Sequence, residues 1–264
     1  MNRRTLLAGL TGTAGAAILG PTLTARRAGA TTPKVRAMTL PVPPAGMTRR
    51  TLTSGRTYLY QPGPVDSPLV VGLHITAHDA VSGANDLYWV TGHTDTTGWN
   101  RHASGRYSLA LGEGIDGKWN VGGGWPGGAQ DDEAYLLDVV ADANTVQSWP
   151  AVYTSGGSAG GAMAWVMAAK YPGIFLGCAS ASGWAPIYPA QPIDCYHTHG
   201  MGDVTVPYLG GSGVYAYTFP AGRNELVNQQ RGSYIVHRID AGGHGPRGWM
   251  AGEQWAYWQT AATR

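Results

Sequence analysis

The sequence predicts an α/β fold in which helices cover both faces of a mainly parallel, doubly wound sheet. Short apolar runs alternate with helical patterns along most of the chain, and this alternation is typical of βαβ units. The run at residues 69–74 is apolar almost throughout, as expected of a central strand that is covered on both faces. With 264 residues, 43% of them hydrophobic, the chain is long enough for one domain with a sizeable core.

The predicted elements begin at residue 48 with a hairpin and continue as alternating strands and helices. Strands are predicted at residues 48–53, 57–60, 69–74, 107–111, 151–155, 175–180, 195–199 and 234–239. Helices are predicted at residues 94–103, 134–143, 162–170, 222–230 and 251–262. The three acidic residues at 131–133 precede the second helix, where they favour a helix start rather than catalysis.

The segment from residue 151 to residue 170 carries the strongest chemical signal in the chain. A predicted strand leads into a glycine-rich turn around Ser158, and an Ala- and Met-rich helix follows. Strand, Gly-x-Ser-x-Gly and helix is the arrangement of a nucleophile elbow, in which a strained turn holds a serine at the start of a helix. Because the chain has 40 glycines, the bare pattern arises by chance about 0.3 times, so the flanking strand and helix carry the prediction.

Candidate partners for Ser158 lie downstream in the chain. A serine nucleophile needs a base, and the base needs a carboxylate that fixes its tautomer. Asp203 lies in the loop after the strand at 195–199, and His244 lies in a Gly-rich loop after the strand at 234–239. The order Ser, acid, His is that of the α/β-hydrolase fold. Because parallel strands end at one sheet edge, both loops are expected to open beside the elbow.

The acid loop at residues 199–208, HGMGDVTVPY, is similar to that of the secreted polyhydroxybutyrate-depolymerase and feruloyl-esterase-like α/β-hydrolases. Further motifs that resemble this family are Asp131-Asp132, YPGIF at 171–175, GGH at 242–244 and GSxGG at 157–161. The resemblance covers residues 55–250 in rough outline. It implies hydrolysis of carboxylic esters with Ser158 as nucleophile, Asp203 as acid and His244 as base, and with no metal or organic cofactor.

The oxyanion hole implied by this resemblance consists of the backbone N–H groups of Ala159 and Thr76. The family usually has His-Gly after the strand that precedes this loop, whereas this chain has His74-Ile75-Thr76. A β-branched Ile75 in place of Gly restricts the backbone conformations open to that loop.

The segment at residues 181–193 is short for its place in the predicted fold. Lid domains of α/β-hydrolases are commonly inserted there, so we expect no lid and a cleft open to bulky or polymeric substrates. Trp184 and Trp249 follow the strand after the elbow helix and the His244 loop, and they are candidate substrate-binding residues. Each tryptophan is equally suited to capping the core, and Trp125 is a weaker candidate.

Other acids and histidines allow alternative assignments of the acid and the base. Asp194 and Asp240 lie at strand ends and are alternative acids, but the loops around them lack the family match. His237 lies within the alternating pattern of the predicted strand at 234–239, a position more typical of a core or surface residue than of a catalytic base.

A metal site is the alternative for the remaining histidines. His74 and His78 have metal-ligand spacing, but the stretch is a predicted strand and loop rather than a helix. His197 and His199 would share one strand face, and with Asp203 they could bind a metal. That assignment leaves the serine elbow unexplained, so we expect no metal.

Charged residues make up only 13% of the chain, and the formal net charge is +2. Four arginines lie in the first thirty residues without any acid, and removing them from the 18 basic residues leaves 14 against 16 acidic residues. The rest of the chain therefore does not resemble a nucleic-acid-binding surface.

The first 30 residues have the pattern of an export signal peptide. Arg3-Arg4 precedes a mildly apolar run, and Ala28-Gly29-Ala30 forms a small-x-small cleavage site. The paired arginines resemble a twin-arginine leader, and no cysteine follows the run to carry a lipid anchor. We expect a secreted, extracellular bacterial protein with a signal at 1–30, a Pro-rich segment at 31–47 and an α/β-hydrolase domain at 48–264.

The two cysteines, Cys178 and Cys195, fall on successive predicted strands. Export permits a disulfide, but cysteines on neighbouring parallel strands rarely meet disulfide geometry. We therefore expect two buried thiols.

The sequence thus favours a secreted, monomeric serine esterase that acts on polyester or on acyl and feruloyl esters of polysaccharides, without a membrane anchor. A serine peptidase of the prolyl-oligopeptidase type is a second hypothesis, since Gly-Gly-Ser-x-Gly-Gly also occurs there. A secreted binding module on a hydrolase fold is a third hypothesis, which Ile75 alone suggests.

Overall fold

A mixed β-sheet with flanking helices forms the framework of the molecule. The computed structural model describes residues 43, 46–73, 106–112, 114–115, 118–127, 129–213, 217–219, 232, 234–245 and 249–261, all within the compact unit Thr39–Arg264. Its strands are β1 (Thr48–Thr51), β2 (Thr57–Gln61), β3 (Leu69–Leu73), β4 (Ser108–Gly112), β5 (Val152–Gly157), β6 (Phe175–Ala181), β7 (Asp194–Gly200), β8 (Gly211–Ser212), β9 (Thr218–Phe219) and β10 (Ile235–Asp240). Its helices are α1 (Asp132–Ala143), α2 (Ala159–Lys170) and α3 (Met250–Ala261).

The main sheet has eight strands in the order β1-β2-β4-β3-β5-β6-β7-β10. The β1–β2 and β2–β4 pairs are antiparallel, and every pair from β4 to β10 is parallel. The predicted mainly parallel sheet is therefore confirmed. β8 and β9 form a separate antiparallel pair, which the sequence did not predict.

Alternate residues of the central strands enter two different cores. Leu69, Val71 and Leu73 of β3 pack in one cluster with α1 and α2, whereas Val70 packs in another with Tyr257 and Trp258 of α3. This division follows from the period-two alternation of side chains along a strand. The sheet is thus covered on both faces, which explains why β3 is apolar throughout.

The predicted elements that fall on described residues are all present, with shifts of a few residues at their ends. The Asp131 side chain caps α1, because its Oδ1 accepts a hydrogen bond from the Ala134 N–H at 2.9 Å. Residues 182–193 contain no helix or strand, so no lid domain separates β6 from β7. The predicted helices at 94–103 and 222–230 and the leader at 1–30 lie outside the described residues.

Cys178 and Cys195 are register partners on β6 and β7. Both are buried thiols that are not joined in a disulfide, as predicted. In the described part of the chain, no helix has the length and apolar character needed to cross a membrane.

Candidate active site

Three parallel strands deliver the predicted site residues to one edge of the sheet. β5 ends at Gly157, β7 at Gly200 and β10 at Asp240, and the sites follow within four residues of each end. Because parallel strands end on the same side, Ser158, Asp203 and His244 all lie at the carboxyl edge of the sheet.

The turn at residues 156–161, called the elbow below, is strained and tightly packed. Ser158 has φ 52° and ψ −125°, a left-handed conformation that is costly for a residue with a side chain. A Cβ at Gly156 would lie 2.4 Å from the Gly160 carbonyl oxygen, and one at Gly161 would lie 2.7 Å from Ser180 Oγ. Glycine is therefore required at 156 by close approach of the backbone and is favoured at 161 by the nearby Ser180 hydroxyl.

The start of α2 supplies a backbone donor beside Ser158. The Ser158 carbonyl accepts from the Ala162 N–H at 3.0 Å, so the helical bonding begins at the serine. Ala159 is the first residue of α2, and the N–H groups of the first helical turn have no acceptor within the helix. The positive end of the α2 dipole lies at the same place and strengthens the attraction of this N–H for an anion. Thr76, the second predicted oxyanion donor, lies outside the described residues.

Asp203 and His244 are hydrogen-bonded to each other. His244 Nδ1 lies 2.8 Å from Asp203 Oδ2, and the aspartate side chain is fully buried. Since an ionised carboxylate only accepts, Nδ1 carries the proton and Nε2 of the neutral ring is left able to take one. This is the tautomer that a general base for a serine hydroxyl requires.

Hydrogen bonds keep the buried Asp203 carboxylate ionised. Burial by itself raises the pKa of Asp203, but bonds from His199, His244 and the Val206 N–H outweigh that effect and hold the pKa well below its usual range. Asp203 Oδ1 accepts from the N–H groups of Thr205 at 2.9 Å and Val206 at 2.8 Å. The carboxylate is thus fixed by its own loop as well as by the histidines.

The acid loop (199–208) and the base loop (240–245) are joined by their backbones, and we call the pair the acid–base corner. The Met201 N–H donates to the Asp240 carbonyl at 2.8 Å, and the Gly202 N–H donates to the Gly242 carbonyl at 2.9 Å. A Cβ at Gly200 would lie 2.0 Å from the Gly242 oxygen. Glycine at 200 therefore permits the close approach that brings the two loops together.

Ser182 connects the corner to the elbow. The Ser182 hydroxyl accepts from the Gly245 N–H at 3.1 Å, one residue beyond His244. The neighbouring Ala181 carbonyl accepts from the Ser158 N–H at 2.8 Å. Ser182 itself has φ 48°, a strained conformation that is otherwise rare outside glycine.

The alternative acids have other hydrogen-bond partners. Asp194 Oδ1 accepts from the Tyr234 N–H at 3.0 Å, and Asp240 Oδ1 accepts from the Gly242 N–H at 2.7 Å. Both carboxylates stabilise the backbone around β10.

The histidines of β7 bond to each other instead of converging on a common point. His197 Nε2 lies 2.9 Å from His199 Nδ1, and His199 Nε2 lies 3.1 Å from Asp203 Oδ2. Among the described residues, no group of three or more His, Cys, Asp or Glu side chains could hold a metal ion. The contact between His199 and Asp203 is not predicted from the sequence: the HGxxD motif contains both residues, but it does not show that they lie together.

The candidate aromatic residues lie in different environments. Trp184 is fully buried, and its ring lies 4.8 Å from that of Trp125 and 5.0 Å from that of Phe219. Trp249 is 38% exposed, with the Arg238 guanidinium 5.3 Å from its ring centre. Trp184 therefore packs in an aromatic cluster after β6, and Trp249 presents a partly open face at the start of α3.

Solved structures of other proteins share this architecture. TT1662 from Thermus thermophilus matches with a TM-score of 0.57 and 13% identity, covering 83% of this chain and 98% of its own. The Bacillus cereus carboxylesterase matches with a TM-score of 0.55 and 11% identity, covering 79% of this chain and 96% of its own. The uncomplexed Pyrococcus horikoshii acylaminoacyl peptidase matches with a TM-score of 0.55 and 12% identity, covering 83% of this chain and 41% of its own.

The chain has the α/β-hydrolase fold. At identities of 11–13% the likeness establishes the fold, which this chain shares with structures named as a carboxylesterase and a peptidase. No protein-family model and no curated protein sequence matches the chain.

Proposed function

We propose that this protein is an exported serine esterase that hydrolyses carboxylic esters through an acyl-enzyme. The observation that carries the proposal is the hydrogen bond from His244 Nδ1 to the buried carboxylate of Asp203 at the sheet edge where Ser158 follows β5. In the proposed reaction, His244 Nε2 takes the proton of Ser158 as its hydroxyl attacks the ester carbonyl. The same histidine then protonates the leaving alcohol, which leaves an acyl-enzyme on Ser158. Water, deprotonated by His244, attacks this acyl group, and the carboxylic acid is released as Ser158 regains its proton.

The charge that develops in this reaction requires two kinds of stabilisation. The Ala159 N–H at the start of α2 and the N–H of Thr76 are proposed to hold the oxyanion, because donors fixed in advance act most strongly where charge appears. Asp203 stabilises the imidazolium form of His244 and remains ionised itself, in keeping with its lowered pKa. The proposed reaction uses no metal or cofactor.

The proposed substrates are esters of polyesters or of acylated and feruloylated polysaccharides. Support comes from the sequence resemblance at the acid loop and from the short segment at 182–193, in which no lid domain is inserted. The proposed route of export rests on the Arg3-Arg4 leader pattern.

The test is hydrolysis of p-nitrophenyl butyrate by the chain lacking residues 1–30, compared with its Ser158→Ala variant. The parent should turn over the ester, and the variant should lose about 10⁴- to 10⁶-fold in kcat. Ser155→Ala is the matched control, because Ser155 is a buried strand serine that bonds to Gln254 and lies outside the turn. Equal rates for parent and Ser158→Ala would refute the proposal.

A peptidase is the second candidate function. The Gly-Gly-Ser-x-Gly-Gly sequence and the fold shared with an acylaminoacyl peptidase favour it, although this chain corresponds to 41% of that peptidase chain. Cleavage of an N-acylated peptide p-nitroanilide faster than the matching ester would select the peptidase.

A further inference from the structure

Two buried histidines lie directly behind the acid Asp203. His197 and His199 are two residues apart on β7 and therefore share one face of the strand. Their exposed fractions are 0% and 2%, and their rings are stacked at an angle of 8° with centres 5.1 Å apart. Buried polar rings are costly unless they are hydrogen-bonded, so their bonding partners define what they do.

The partners of His199 fix the position of its proton. His199 Nε2 lies 2.7 Å from the Val206 carbonyl oxygen and 3.1 Å from Asp203 Oδ2. Both of these atoms only accept, so Nε2 carries a proton, which it donates to the Val206 carbonyl while the N–H group lies beside the Asp203 carboxylate. In the neutral ring Nδ1 then has none, and it accepts from His197 Nε2–H at 2.9 Å.

We propose that His199 is a positioning residue for Asp203 and that His197, as the donor to His199 Nδ1, holds the His199 ring in the orientation in which it can act. This inference rests on the proposed triad. Asp203 Oδ2 lies close to two histidine nitrogens: it accepts a hydrogen bond from His244 Nδ1 at 2.8 Å, and His199 Nε2 lies 3.1 Å away. The electrostatic contact with the His199 N–H holds this oxygen in the place where it orients His244, as Asp203 in turn fixes the tautomer of His244.

The outer side of the pair is closed by Tyr208 and His237. His237 of β10 is in register with His197, and their ring centres are 5.4 Å apart. The Tyr208 ring lies 6.1 Å from His197 and 5.3 Å from His199, and its hydroxyl lies 3.1 Å from His237 Nδ1. These rings cover the buried pair. The His237 side chain bonds to the Tyr208 hydroxyl, and a glutamine can keep that bond, so His237→Gln is the matched control.

The test compares two replacements of His199 in ester hydrolysis. His199→Gln can still place an amide N–H near Asp203 Oδ2, whereas His199→Leu cannot. We expect His199→Leu to lose about 100-fold in kcat with KM within about threefold of the parent, because a catalytic group displaced by about 1 Å costs that much. His199→Gln should recover at least about tenfold of that loss, and His237→Gln should match the parent within about threefold.

A second measurement follows the hydrogen bond itself. In the ¹H NMR spectrum the His244 Nδ1–H bonded to Asp203 should give a low-field signal in the parent and in His199→Gln, and this signal should shift or broaden in His199→Leu. His197→Leu should perturb it too, because the His199 ring then loses the donor to its Nδ1 and can turn away from Asp203. If His199→Leu does not fold, His199→Asn serves instead, since its shorter amide does not reach Asp203.

The outcomes separate this inference from the proposed function. Parental kcat in His199→Leu, or equal losses in His199→Gln and His199→Leu, would overturn the positioning role while leaving the esterase intact. Absence of ester hydrolysis in the parent would refute the proposed function, and the NMR comparison on the same proteins would still decide whether His199 orients Asp203.

Discussion

The elbow and the acid–base corner reach the same edge of the sheet by different means. The elbow is local, because its turn is set by glycines only a few residues apart whose backbones touch. The corner is non-local, because Asp203 and His244 are 41 residues apart in sequence and depend on backbone bonds between two loops. A single turn can thus hold a nucleophile, whereas its base is positioned by several hydrogen bonds between two loops. Removing one of these bonds at the corner should therefore lower kcat in part, and by an amount that depends on the bond.

Asp203→Asn should give the largest effect at the corner. The amide can donate to His244 Nδ1 and so favours the wrong tautomer of the base, while the shape of the side chain is kept. We expect a loss of about 10⁴ in kcat with little change in KM, measured with p-nitrophenyl butyrate. Asp194→Asn is the control, since that residue begins β7, the strand that leads into the acid loop, but its carboxylate bonds to the Tyr234 N–H. Equal losses in both variants would contradict the assignment of the acid.

Gly156→Ala and Gly200→Ala compare the two regions directly. The first places a Cβ 2.4 Å from the Gly160 oxygen at the elbow, and the second places one 2.0 Å from the Gly242 oxygen at the corner. Each should lower kcat by about 100-fold and the free energy of unfolding by about 2 kcal/mol.

Gly173→Ala is the control for both glycine variants. A Cβ there meets nothing within 4 Å, so kcat and the urea unfolding midpoint should match the parent. Full activity in Gly156→Ala or Gly200→Ala would show that the corresponding close approach is not required.

Much of the elbow could be predicted from sequence, and much less of the corner. Gly156, Ser158 and Gly160 are contiguous with their strand and helix, so the pattern contains the geometry. The loop motif around Asp203 also indicated the acid. The bond between His199 and Asp203 could not be derived, because it depends on how the acid loop folds back over β7.

The sheet shows the same limit of sequence reasoning. Alternation predicts that strands and helices follow one another, but not that β4 inserts between β2 and β3. The pairing of β8 with β9 involves strands of only two residues each, which are too short to give a periodic signal.

Ser182 tests the link between the two regions. Ser182→Ala and Ser182→Gly both remove the acceptor for the Gly245 N–H, so each should lower kcat about tenfold by loosening the His244 loop. The glycine variant relieves the strain of φ 48° and should be more stable than the alanine variant by about 1 kcal/mol. Kinetics and urea denaturation measure the two effects, and unchanged kcat in both variants would remove Ser182 from the account.

The smallest expected effect is the dependence of folding stability on pH through Asp203. Because the pKa of Asp203 is lower in the folded protein, its contribution is full above the unfolded value of about 3.9 and is lost as the pH falls toward the folded value. The difference in free energy of unfolding between the parent and Asp203→Asn should therefore shrink from pH 5 to pH 3. Urea denaturation at both values checks this, and a difference that grows at pH 3 would contradict it.

Labelling with a fluorophosphonate probe tests the central claim most directly, because the probe reacts only with a serine that its base has activated. Peptide mass spectrometry of the labelled chain should place the adduct on Ser158, with none formed in Ser158→Ala and strongly slowed labelling in His244→Ala. An adduct on a different serine, or no adduct in a folded parent, would contradict the claim that Ser158 is an activated nucleophile.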